Sequence, residues 1–471
     1  MYKSNQKQSV MRMFRALSAF GLILSLIFSC CCSKTTNVFP EISETSTESE
    51  SSTSLSLEDE KGTYSITIAS PLSQEQCTYL AKLYVLKKQG KLPEGTTGEN
   101  IPFDFLDSVD LPFVVNTLIT SRTGCNADNL TKWRSEGSMP DIFLTDSFDV
   151  VSGTGMVQSL TNYMASDPLF SAENVDPSIL SAFYLGSNYF GIPYQASVNL
   201  LFCDMEVLGQ AGITTVNFRQ DNVSFQNILY KLRTVNEGEE GRKILPLYQA
   251  QQLIPFLPCS LYGSEYISCS DDVARKAKAM TDSLAYIKGL VNEGYAYESL
   301  DKEEADALFQ GMTPLLSRKV GVWVGSSDEI MIFDNYMPNT LNMMQMPGLA
   351  EDEYSAPLVT LYPLCVSSSC AHPSEAAAFA SFLALDEDAL LLSSRLSLAE
   401  GFLPVVRSPG VWKSAVHAQK YGACLSQYQA LLDRAILIPS VTSSKKFQED
   451  QDYISKHLDP LIIEQKPELT E

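Results

Sequence analysis

The stretch from Tyr189 to Cys203 sets the tightest limit on how this chain folds. Tyr189 and Phe190 lead into a Gly191-Ile192-Pro193 corner. Polar Gln195, Ser197 and Asn199 follow, then the apolar run Leu200-Leu201-Phe202, bounded by Asp204. A short apolar run between turn signals predicts a buried strand. Polar residues just ahead of it are costly in a core unless they are paired. We read the stretch as a crossing from one lobe to another, with the polar side chains facing a cleft. The plainer reading is a hairpin with one half-exposed strand.

At 471 residues the chain exceeds what one core supports, so two or more lobes are expected. Its net charge of −22 argues against nucleic acid, which needs clustered Lys and Arg. With 45% hydrophobic and 19% charged residues it suits a globular body.

The amino terminus reads as an address. Lys3, Lys7, Arg12 and Arg15 precede an apolar run from Ala16 to Phe28. That run fits the ~7–15 residues of a secretory signal and falls short of the ~20 that span a bilayer. It ends in Ile27-Phe28-Ser29-Cys30, which resembles a bacterial lipoprotein signal with Cys30 as the lipid-bearing residue. Phe28 is bulkier than that pattern favours, and Cys31 and Cys32 adjoin the site. Residues 1–29 are thus expected to be the signal. Residues 30–62, rich in Ser, Thr and Glu, are expected to be a flexible tether, with too little apolar area to offset ordering. Such a coil reaches roughly 30 Å r.m.s..

From Tyr64 onward, strand and helix patterns alternate. Tyr64 to Ala69 alternates as a strand, Gln74 to about Lys88 is helical, and Val114 to Thr120 is β-rich. Lys91 to Pro112, rich in Gly, Pro and Asp, reads as a surface insertion. Asn126 can cap a helix carrying Leu130 and Trp133 that Gly137 ends. Met139 to Leu144 is the next strand. This order predicts a parallel sheet with right-handed crossovers, and ligands off the carboxyl ends of its strands. Ser70 and Asp146 stand at such ends, where helix capping is the competing role. Further on, Met205 to Gln210, Phe225 to Arg233 and Asp271 to Glu293 read as helices. Asp301 to Glu304 has the form of a capping box. Val320 to Val324 reads as a strand broken by Gly325-Ser326-Ser327-Asp328, a turn that can offer backbone N–H groups to an anion or polar ligand.

Four segments in order carry a resemblance: Met139-Pro140-Asp141-Ile142-Phe143; Gly191 to Phe202 followed by Ala211-Gly212-Ile213; Phe309-Gln310-Gly311 with the strand after Lys319; and His372 to Ala377 with Gly401-Phe402-Leu403-Pro404-Val405. Over residues 62–440 the chain resembles the family 1 extracellular solute-binding proteins, the sugar-binding lipoprotein components of ABC importers. The resemblance implies an α/β, periplasmic-binding-protein type II fold: two α/β lobes joined by crossover hinge segments. Residues 63–195 plus 345–385 would form one lobe and 196–344 plus 386–471 the other. A solute would be clamped between them by hinge closure and handed to ABC permease subunits in the membrane. The same resemblance implies candidate contacts at Ser70, Asp146, Ser147, Gln195, Ser197 and Asn199. In the second lobe these are Tyr262, Gly263, Ser326, Ser327 and Asp328, with Gly401 and Phe402 from the tail. Thr360 and Tyr362 join them as residues ahead of the strand Leu364-Cys365-Val366. The resemblance further implies a lipid-anchored monomer facing the periplasm or cell surface, without cofactor.

Two departures bear on the solute. Many sugar binders of the family have Asp where Ser197 stands and Trp near Asp328. Trp133 and Trp323 both fall in packing patterns. A carbohydrate is therefore the first expectation, and an anionic glycerol phosphate or glycerophosphodiester the rival. A surface glycan hydrolase or an adhesin are the other classes. The three histidines, His372, His417 and His457, all have structural readings, and no Gly-x-Ser-x-Gly or His-Glu-x-x-His motif occurs. No cysteine pair has metal-ligand spacing with a histidine. Cys259 with Cys269 and Cys365 with Cys370 are close enough in sequence for disulfides, while Cys203 reads as a free buried thiol. Mass spectrometry of the mature protein is expected to show an acylated amino-terminal Cys30; an unacylated chain starting elsewhere would remove the lipoprotein reading.

Overall fold

The computed structural model describes residues 64–237, 241–254, 256–257, 273–348, 357–396 and 401–438. Their strands are β1 (Ser65–Ser70), β2 (Val114–Ile119), β3 (Ile142–Leu144), β4 (Tyr184–Leu185), β5 (Asn188–Tyr189) and β6 (Ile192–Asp204). Then come β7 (Leu245–Tyr248), β8 (Val320–Ser326), β9 (Leu341–Met344), β10 (Leu358–Val366), β11 (Leu403–Pro404) and β12 (Ile436–Ile438). Apart from the β4–β5 hairpin they form one mixed sheet ordered β2-β1-β3-β10-β6-β8-β7, with β9 and β11 also on β6 and β12 on β10. The parallel expectation holds for β1 with β2 and β3. It fails farther in, where β10 runs antiparallel to both β3 and β6. No local pattern reveals that reversal, because β10 comes from more than two hundred residues later in the chain.

β6 is the segment on which the two halves meet. Residues Ile192–Val198 pair with β10, and Asn199–Cys203 pair with β8. Alternate residues of its second half serve two cores. Leu200 and Phe202 face a cluster with Ile68, Phe143 and Trp323. Leu201 and Cys203 face another, with Phe225, Leu247, Ile287 and Val322. Both faces being covered, the strand is apolar from Leu200 to Cys203 rather than alternating.

Local chemistry fixes many helices where the sequence places them. Gln74–Lys88 begins with a Ser73/Gln76 capping box, and Asp301 and Glu304 form another before Lys302–Phe309. Asn126 accepts the Asn129 N–H, and Gly137 closes Ala127–Glu136 with φ 66°. The segment expected to be a surface insertion, Lys91 to Pro112, is largely exposed but is anchored in the core at two points. Ile101 and Leu106 are fully buried, and the Arg395 guanidinium binds the Gly98 and Ile101 carbonyls. Its Gly and Pro content signals turns and is silent about the two apolar anchors between them. Cys365 and Cys370 are both free thiols, contrary to the pairing considered for them. Cys365 is buried within β10, opposite Phe143, while Cys370 lies past the strand end at the edge of the core. Cys203 is free and buried as read; Cys259 and Cys269 lie outside the described residues.

The far end of β6 is held by a fork. Buried Asp204 accepts from Arg318 Nε at 2.6 Å and Nη2 at 3.1 Å, and also caps the helix Met205–Gln210. Arg318 remains about one-third exposed and keeps Glu206, so losing the partner costs less than the ~3–5 kcal/mol of a fully buried pair. Asp204→Asn is expected to lower the unfolding free energy by about 2 kcal/mol, read as a reduced urea midpoint.

Candidate functional site

The carboxyl ends of β2 and β3 open onto a cavity of about 180 Å³. Ile119, Ser121, Asn126, Asn129, Trp133 and Asp146 line it. Trp133, expected to be core packing, is half-buried: it packs against the main core and also lines this cavity. Asn129 and Trp133 are four residues apart, hence on one helix face, while Leu130 faces the core. That amide-plus-aromatic face was the signal the packing reading passed over. Trp323 is packing as read, stacked 5.8 Å from Phe202. The loop that brings Ser121 and Asn126 to the cavity is pressed against β3. A Cβ on Gly124 would lie 2.4 Å from the Leu144 carbonyl, and its φ is +101°.

Asp146 accepts the Ser147 hydroxyl at 2.8 Å, and the Ser147 N–H donates to Thr145 Oγ1. Burial raises the Asp146 carboxyl above its ordinary range, with hydrogen bonds from Ser147 and Thr123 opposing the shift. Ser70 is buried at the end of β1, where its carbonyl accepts the Thr120 N–H and its hydroxyl the Leu72 N–H. It closes the turn out of β1 rather than capping the next helix, a task that Ser73 performs.

The polar residues of β6 are mostly bound to other protein groups. Gln195 Nε2 donates to the Arg122 carbonyl at 2.8 Å, and Ser197 Oγ lies 3.1 Å from the Tyr362 hydroxyl. Ser197 sits opposite Thr360 in the sheet, and both are buried. Asn199, the first residue past the change of partners, is half-buried opposite Ser326. Ser327 Oγ accepts the Val198 N–H at 3.1 Å. Burial lifts the Tyr362 hydroxyl far above its usual range, and the carboxylates of Asp328, Asp146 and Glu329 add to the shift.

In the turn after β8, helix capping, the alternative to ligand binding there, takes the first N–H group. The Ser326 N–H donates to Glu329 Oε2 at 2.8 Å, so the chain's own carboxylate fills that role. Asp328 Oδ1 is buried with no hydrogen-bond partner among the described residues. Gly401 packs on this turn, where a Cβ would lie 2.5 Å from the Ser327 carbonyl. Phe402 is buried edge-on to Tyr362 at 5.9 Å. Tyr262 and Gly263 lie outside the described residues. Arg122, which sequence reasoning missed, donates from Nη1 to the Asp328 carbonyl at 3.0 Å and stands 5.0 Å over the Phe402 ring. No motif marks it, because its partners lie more than 200 residues away.

Among solved structures, the chain is similar to an ABC substrate-binding protein of Listeria monocytogenes in complex with cycloalternan. The identity is 14%, covering 86% of this chain and 94% of that one, with a TM-score of 0.57. The GacH receptor of Streptomyces glaucescens, solved unliganded and with acarbose, matches at 15% identity over 85% and 94%, with a TM-score of 0.54. The maltose-maltodextrin binding protein of Alicyclobacillus acidocaldarius matches at 12% over 86% and 96%, with a TM-score of 0.52. The chain has the two-lobed solute-binding fold. No protein-family model matches it, and none of the curated proteins does. The Trp133 cavity lies at the β2 and β3 side of the sheet, and the Ser326–Asp328 turn follows β8, the strand that β6 takes up after its change of partners.

Glu329 is the acid of this region that titrates in the physiological range. Burial pushes its carboxyl up to about 7 from 4.5; the Ser326 N–H opposes the shift and Asp328 adds to it. A raised carboxyl contributes stability below its unfolded pKa and loses it as pH rises through the folded one, here between about 4.5 and 7. Glu329→Gln keeps an oxygen acceptor for Ser326. It is expected to gain about 3 kcal/mol relative to the parent between pH 4.5 and pH 8, seen as a melting-temperature difference that grows with pH.

Proposed function

We propose that this chain is the solute-capturing subunit of an ABC importer, with a small carbohydrate as its solute. The observation that carries the reading is the cavity where the Trp133 face stands beside the Asn126 and Asn129 amides and the Asp146 carboxylate. An indole face covers the apolar C–H side of a sugar ring, while amides and a carboxylate bind its hydroxyls. The fold supports it, since the similar solved structures include proteins described with cycloalternan, acarbose and mannobiose. The solute is held and released unchanged, and closure of lobes 63–195 plus 345–385 and 196–344 plus 386–471 forms the state that a permease reads. The signal-like amino terminus supports a Cys30 lipid anchor that holds a monomer outside the cytoplasm, at the periplasmic or cell surface.

The anionic alternative has less support. Asp146, Asp328 and Glu329 all act on Tyr362, and the Ser326 N–H is already taken by a carboxylate. A phosphate entering there meets several negative charges, which Arg122 only partly offsets.

A thermal-shift panel separates the readings, because a bound solute stabilises by an amount set by its concentration over its dissociation constant. Stabilisation by one or more oligosaccharides and none by glycerol 3-phosphate or glycerophosphocholine is expected. Trp133→Ala is expected to weaken the sugar at least tenfold, about 1.4 kcal/mol. Stabilisation by the phosphates alone, or recovery of a cleaved sugar, would overturn the reading.

A further inference from the structure

We propose that Arg122 is a positioning residue, a latch that draws the turn after β8 against the loop after β2 and pre-closes the cleft. The inference rests on the hinge-closure part of the preceding reading, but not on the identity of the solute. Arg122 leaves the loop after β2, at the outer edge of the sheet on one side of the Val198/Asn199 change of partners. Its Nη1 reaches the Asp328 carbonyl at 3.0 Å, in the turn after β8 on the other side. Its guanidinium lies 5.0 Å over Phe402, which comes from the tail. Its own carbonyl accepts Gln195 Nε2 at 2.8 Å, on the crossover strand itself. One residue thereby ties together four segments that are distant in sequence.

Each tie suits arginine. A planar guanidinium can stack on an aromatic face and donate at its rim together, which a lysine ammonium does not reproduce. Phe402 is a fixed platform: it is buried edge-on to Tyr362, and the adjoining Gly401 sits so close to the Ser327 carbonyl that no side chain fits. The acceptor on the turn is a backbone carbonyl, so the tie holds the turn itself, whatever the Asp328 side chain does.

The bridge consists of protein groups alone, so it favours closed lobes without help from a solute. Apparent affinity is the intrinsic affinity scaled by the fraction of molecules already in the binding-competent form. A latch of this kind therefore raises affinity for every solute alike and leaves the choice among solutes to the residues that line the cavity.

Small-angle scattering of the full chain with no solute added tests the latch, with circular dichroism and melting temperature recorded alongside. Arg122→Ala is expected to keep the fold and to raise the radius of gyration by roughly 5%, the scale of a hinge opening in a body this size. Arg122→Lys, which keeps the charge and loses the stack, is expected to fall between the two. If the Ala variant fails to fold, Phe402→Leu, which removes the platform, is expected to give the same expansion. A folded Arg122→Ala whose scattering curve superimposes on the parent's would overturn the proposal. Because the measurement uses no sugar, its failure is separable from a failure of the carbohydrate reading.

Discussion

The architecture depends on one strand that changes neighbours without breaking. β6 leaves β10 at Val198 and takes up β8 at Asn199, and at that step the Val198 N–H is satisfied by the Ser327 hydroxyl. A buried amide at a change of partners needs an acceptor from somewhere, and a side chain from the newly joined half supplies it. The same short span carries Gln195 and Ser197, both bonded to other protein groups, and Asn199 opposite Ser326. Bending at such a point is inexpensive in covalent terms and is governed by the side-chain ties across it.

Those ties share a charge pattern. Asp328, Asp146 and Glu329 all act electrostatically on Tyr362, which bonds to Ser197, and Arg122 donates to the Asp328 carbonyl. Burial raises the Asp146 and Glu329 carboxyls above their ordinary range.

Much of the scaffold was legible because local rules sufficed. Gln74–Lys88, Met205–Gln210 and Pro373–Leu385 fall where capping residues, apolar spacing and a leading proline place them. Capping is a contact between residues three apart, so a sequence window contains both partners. The site was less legible. Ser197, Ser327 and Tyr362 look like free polar donors in the sequence, yet they are bound to one another or to backbone within the hinge. Trp133 packs against the core as its helical spacing suggests, but spacing alone does not show that it also lines a cavity.

By itself, the sequence determined many of the elements, including the buried strand within residues 189–203, because periodicity and caps act over a few residues, while the two-lobed type of fold came from the resemblance of four ordered segments. Only the tertiary structure decided that β10 runs against β3, that Glu329 rather than a ligand takes the Ser326 N–H, and that Arg122 spans to Asp328 and Phe402. These are pairings between segments far apart along the chain. Burial and charge choose them only after the sheet has assembled, when each group meets neighbours that no local pattern encodes.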